Sequence, residues 1–139
     1  MPRAERRPDA RAALLYDAGC GFCRWCVARV LGWDRRRALR PVAIQEPEGV
    51  ALLQGLDAGA RIASWHLVDA DGVRTSAGAA VAPLARMLPG GAPVARLAER
   101  FPLAVENGYR AVVRRRAPLG RLVTAGAARR ARGRIAERG

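Results

Sequence analysis

The chain has 139 residues, half of them hydrophobic, which suits one packed domain and excludes both two ordinary domains and global disorder. Its formal charge of +13 comes from 25 basic residues against 12 acidic ones, and every basic residue is arginine, as in the product of a GC-rich coding sequence. Aromatic residues are only 5%, so the core must be built from Ala, Leu and Val, and no apolar run approaches the roughly 20 residues of a membrane-spanning helix.

Residues 1–11 read as a polar leader, proline-broken and without the apolar stretch of a secretory signal. The expected location is therefore the cytoplasm, where close cysteines are more often catalytic or metal-binding than structural. Ala12 to Tyr16 is a short apolar run bounded by Asp-Ala-Gly and predicts a buried strand. The period then changes. Cys23, Cys26, Val27, Val30 and Leu31 recur at helical spacing, with Arg24 and Arg29 largely off that face. Asp34 to Arg37 marks the helix exit, its cations facing the negative end of the dipole.

Leu39 to Ile44 predicts a second strand, with Pro41 arguing for a strand end or a sheet edge. Glu48 to Leu56 fits a short helix, and Ile62 to Val68 a strand. Asp69 to Gly72 is a tight turn with Gly72 at positive φ, and Val73 to Thr75 the returning strand. Ser76 is expected to cap a helix reaching Leu88, weakened by Pro83. Short helices follow, broken at Pro102 and Pro118. Strands alternating with helices and closing in a hairpin plus helix give an α/β class around a mixed sheet. From Arg110 to Gly139 there are ten arginines and one acid, so this segment holds most of the net charge. It is expected to be a solvated basic extension, its last part (126–139) disordered or loosely helical.

The chemistry sits in Tyr16-Asp17-Ala18-Gly19-Cys20-Gly21-Phe22-Cys23-Arg24-Trp25-Cys26. Here a CxxC pair lies between a strand and an amphipathic helix. Cys20 at the helix start would meet free backbone N–H groups and the positive end of the dipole, an environment that lowers a thiol pKa from about 8.5 to roughly 3.5–7.5. Cys23, one turn in, is placed to attack a mixed disulfide formed on Cys20. Cys26 shares the apolar face with Val30 and is read as core. Asp17 either moves a proton or tunes the thiolate, or it ends the strand and orders the turn through side-chain to backbone bonds. No organic cofactor is called for, because the sulfurs carry the electrons.

The stretch YDAGCGFCRWC, with RPVAIQ and WHLVDADG behind it, resembles the DCC family of thioredoxin-like thiol–disulfide oxidoreductases from about Leu14 to Leu88, fading beyond Phe101. The resemblance implies a thioredoxin-like three-layer sandwich around a mixed sheet over residues 12–100, followed by a basic helical extension over 101–139. It assigns the signature aspartate to Asp17 and the two cysteines to Cys20 and Cys23. The implied partner is a protein dithiol or disulfide, or a small thiol. Ala18 departs from the glycine usual in the family. Arg61 to Trp65 contains no proline where most thioredoxin-like enzymes hold a cis-proline, so Ser64 and Trp65 are the residues there that would line the site, with Trp65 also suited to the core.

Three rival readings stand beside this one. Cys20, Cys23, Cys26 and His66 could form a Cys3His metal site, but three thiolates on one helix would diverge and no second pair exists. The arginine tail attracts nucleic acid or anionic lipid non-specifically, without interleaved aromatics or a reading motif. A non-catalytic thioredoxin-like interaction module would keep the fold and use the cysteines only for packing.

Overall fold

The computed structural model describes residues 11–139, so all of the leader except Arg11 lies outside the described residues. A four-stranded mixed sheet carries the fold. Its strands are β1 (Ala12–Tyr16), β2 (Leu39–Ala43), β3 (His66–Val68) and β4 (Arg74–Ser76), in the order β2-β1-β3-β4. β1 runs parallel to β2 and antiparallel to β3, and β3 pairs antiparallel with β4. This mixed α/β order is compatible with a thioredoxin-like arrangement. Pro41 is tolerated because β2 is an edge strand, where a missing N–H leaves no ladder bond unmade. The turn from Asp69 to Gly72 forms as expected, with Gly72 at φ +83° and the Asp69 carboxylate accepting from the N–H groups of Asp71 and Val73.

Alternation along β1 feeds two cores. Ala12, Leu14 and Tyr16 face Val27 and Leu31 of helix α1 (Gly21–Trp33), together with Leu39, Leu67 and Leu88. Ala13 and Leu15 face the other way, onto Val42, Leu53 and Val68. Helix α2 (Pro47–Leu52) leads into that second cluster. Each buried Leu or Val contributes about 1.5–3 kcal/mol.

Two sequence expectations need correction here. The strand proposed from Ile62 shrinks to His66–Val68, because helix α3 (Ala58–Ala63) takes the preceding residues. Asp57 caps it, accepting the Ala60 N–H at 2.7 Å, and Ala-rich sequence propagates it. Ser76 does not cap a helix with its side chain. A 3-10 turn (Ala77–Ala80) comes first, then α4 (Val81–Met87), whose first turn accommodates Pro83.

The Ser76 hydroxyl instead serves His66, which is 1% exposed. His66 Nε2 lies 2.9 Å from the Arg61 carbonyl, which can only accept, so this nitrogen carries the proton. Nδ1 then accepts from Ser76 Oγ at 2.6 Å. Burial holds the imidazole pKa below its ordinary 6.5, opposed by the bond to Arg61 and helped by the charge of Arg74. Below about pH 6.5 the unfolded chain takes up a proton that the folded one refuses, so stability is lost as pH falls. Urea unfolding at pH 7 and pH 5 should show this loss, and His66→Gln should reduce it while costing about 1–2 kcal/mol at pH 7. Equal pH slopes in the two proteins would refute the assignment.

The arginine-rich segment is folded against the rest. Helices α5 (Ala92–Arg100), α6 (Pro102–Arg114), α7 (Arg116–Gly120) and α8 (Ala125–Arg138) complete the chain. Of the two alternatives for 126–139, disordered or loosely helical, the structure shows a helix. Thr124 caps α8, Ala131 is buried, and Ile135 packs on the core beside α1. The exit of α1 falls where expected, immediately before Asp34 to Arg37. Its last turn holds no base, and its cap is Asp34, which is 1% exposed. The Asp34 carboxylate accepts from Ala38 N at 3.1 Å, from Leu39 N at 2.9 Å and from Arg138 Nη2 at 2.6 Å.

Candidate active site

The parallel strands β1 and β2 end side by side, and the turn that leads to Cys20 leaves from that end. After Tyr16 the chain turns through Asp17-Ala18-Gly19, with Cys20 N–H donating to the Asp17 carbonyl at 3.2 Å. Asp17 Oδ1 accepts from Gly19 N at 2.8 Å and from Gln45 Nε2 at 2.7 Å, and Gln45 Oε1 accepts from Ala18 N at 3.1 Å. Gln45 follows β2, so the turn is tied across the sheet. The Arg24 guanidinium reaches back to the Ala18 carbonyl. Asp17 thus has the ordering contacts foreseen in one of its two readings, and sequence reasoning missed Gln45, which holds Asp17 and Ala18, and Arg24, which holds Ala18.

Cys20 is the N-cap of α1, with extended backbone. Its Sγ accepts the backbone N–H of Cys23 at 3.3 Å, the bond an oxygen cap would make. A sulfur anion here would meet the N-terminal dipole and a fixed donor. The Cys20 and Cys23 side chains lie close together, near enough for the two thiols to act on one another. Burial pushes the Cys23 thiol up to about 12, and the hydrogen bond and negative charge of Cys20 push the same way. Arg116 opposes the shift and Asp17 adds to it. Cys26 is raised to about 11, first by burial and then by the charge of Cys20. All three cysteines are free and partly buried.

Beside the pair lies a largely apolar cavity of about 270 Å³. Phe22, Cys23 and Cys26 line it from α1, Ser64 and Trp65 from the segment before β3, and Tyr109 and Arg116 from α6 and α7. Trp65 also packs against the core, so both parts of its sequence reading apply. Cys26 is not purely core, since it borders this cavity. Tyr109 comes from the segment 101–139, expected to be a basic helical extension. Gly78 admits α6 closely, for a Cβ there would fall 2.9 Å from the Glu106 Cα, and Gly78 N donates to Glu106 Oε2 at 2.9 Å. One turn later the Tyr109 hydroxyl accepts from Trp65 N at 3.1 Å. Arg116 donates to the Ile62 carbonyl at 3.0 Å. The only sequence signal for this contribution was Tyr109 itself, a lone aromatic in an arginine-rich stretch.

His66 does not join the cysteines. Both its nitrogens are engaged elsewhere, and among the described residues no group of three or more His, Cys, Asp or Glu side chains could hold a metal ion.

The family model of the DCC1-like thiol-disulfide oxidoreductases matches residues 14–122. The chain belongs to this family. The match begins at Leu14 as expected, but it continues past Phe101 through α6 and α7, so Tyr109 and Arg116 fall inside it. α8 lies beyond it. No curated protein and no solved structure gives a significant match. Membership points to oxidoreductase activity on thiols and disulfides, and no helix among the described residues is long and apolar enough to cross a membrane.

Proposed function

We propose that the chain exchanges its Cys20–Cys23 dithiol with the disulfide of a protein or small-thiol partner, in the cytoplasm, on a thioredoxin-like sandwich with helices on both sheet faces. The observation that carries this reading is the position of Cys20 Sγ at the start of α1, accepting the Cys23 N–H with the Cys23 side chain close beside it.

The Cys20 thiolate attacks one sulfur of the partner disulfide. A mixed disulfide forms and the partner's other sulfur leaves as a thiolate. Neutralising Cys20 removes two of the causes that hold the Cys23 proton, its negative charge and its hydrogen bond. Cys23 then yields its proton to the departing thiolate or to water and attacks Cys20 Sγ. The second partner thiolate is released, so the partner gains two electrons and one proton from the pair, its other thiolate takes a proton from water, and the pair becomes a disulfide. Asp17 is a positioning residue here, fixing the turn that delivers Cys20.

An aromatic disulfide reagent tests the division of labour. Wild type should release two equivalents of aromatic thiol and keep no adduct. Cys23→Ser should release one rapidly and retain a mixed disulfide on Cys20, located by peptide mass spectrometry. Identical adducts on both proteins would overturn the reading.

A further inference from the structure

The seam between α1 and α8 is floored by small residues and walled by arginine. Ala28 and Gly32 of α1 meet Ala127 and Ala131 of α8, and Arg29, Arg130 and Arg134 stand around the groove between them. Trp25 closes one side, and the groove, open to solvent, has a volume of about 340 Å³. The Arg29 guanidinium lies over the Trp25 ring, 5.1 Å from its centroid. The Arg134 guanidinium lies down against the α1 backbone, so close that a Cβ at Gly32 would come within 2.5 Å of Nη1. No acidic residue lines the groove, and among the described residues none of the three arginines is ion-paired with a carboxylate.

Three guanidiniums gathered around one concavity repel one another and concentrate positive potential inside it. An anion entering the groove relieves that repulsion. The planar forks of arginine match phosphoryl oxygens in pairs, which a point charge does not. The space suits one or two phosphoryl groups. We propose that this groove binds a phosphate-bearing ligand, with Arg29, Arg130 and Arg134 holding its phosphoryl oxygens. Arg130 and Arg134 lie beyond the residues the family model matches, so the site is a feature of this chain rather than part of the thiol chemistry.

Calorimetric titration of the full chain with sodium pyrophosphate, at constant ionic strength, is the test. Wild type should bind one equivalent saturably. Arg130→Ala/Arg134→Ala should weaken binding by about tenfold or more. Arg132→Ala removes a charge from α8 away from the groove and should change affinity by less than about twofold. Cys20→Ser should bind like wild type, which separates this proposal from the catalytic reading. Should the double variant lose its helical circular dichroism, Arg29→Gln on α1 takes its place and should weaken binding at least about threefold. Non-saturable binding, or an equal loss in Arg132→Ala, would overturn the proposal as diffuse charge attraction. Phosphatidylglycerol vesicles distinguish the source. Co-sedimentation displaced by pyrophosphate assigns the phosphoryl group to a lipid headgroup, and pyrophosphate binding without co-sedimentation assigns it to a soluble ligand.

Discussion

Cys20→Ser is expected to lower disulfide-exchange turnover by at least about a thousandfold, because a serine hydroxyl at that position is not a nucleophile toward sulfur. Folding should be nearly unaffected, since serine is itself a good N-cap and can accept the Cys23 N–H in place of the sulfur. The same position controls its neighbour. Cys20→Ala removes both the hydrogen bond and the charge that raise Cys23, leaving burial as the main cause. The Cys23 thiol should then titrate lower than it does with Cys20 present, read from thiolate absorbance in a background lacking Cys26. A Cys20→Ser protein with residual exchange near wild type, or a Cys23 titration indifferent to Cys20→Ala, would sink the assignment of roles.

Asp34→Ala should cost about 3–5 kcal/mol, read from urea denaturation. Against a typical total of about 5–15 kcal/mol this is enough to endanger folding. The size follows from what is abandoned. The Arg138 guanidinium, 7% exposed, loses its only ion pair among the described residues, although it keeps the Leu31 carbonyl at 3.0 Å. The N–H groups of Ala38 and Leu39 lose their acceptor at the mouth of β2. Replacing both charges, as in Asp34→Leu/Arg138→Met, should recover part of the loss, because no unpaired charge is then left buried. A loss under about 1 kcal/mol in Asp34→Ala would mean that the pair is solvated in practice.

The segment from Ala12 to Leu31 was legible because its signals are local. A five-residue apolar run, a turn, a capping residue and a helical repeat all lie within 20 positions of one another. Ile62 to Val68 misled because apolar residues at 62, 65, 67 and 68 suggest a strand, whereas Ile62 sits 45% exposed on a short helix started by Asp57. Composition misled at the C-terminal end. Ten arginines read as solvent-loving, and most are exposed, yet Arg138 is buried because a carboxylate 104 positions earlier needs a partner. The same distance problem hid Tyr109 and Arg116. Their anchoring bonds span 44 and 54 positions, and no periodicity reports a pairing of that kind.

Gln45 illustrates what such cross-sheet ties imply for variation in this protein. It stands in solvent, belongs to no core cluster, and would pass a thermostability screen as a neutral surface site. Yet its amide grips both Asp17 and Ala18, so the turn that leads into Cys20, the sulfur proposed to attack, is tied to a residue 25 positions away on a neighbouring strand's exit. Maps of mutational tolerance drawn from melting temperature and from turnover should therefore part company at this glutamine.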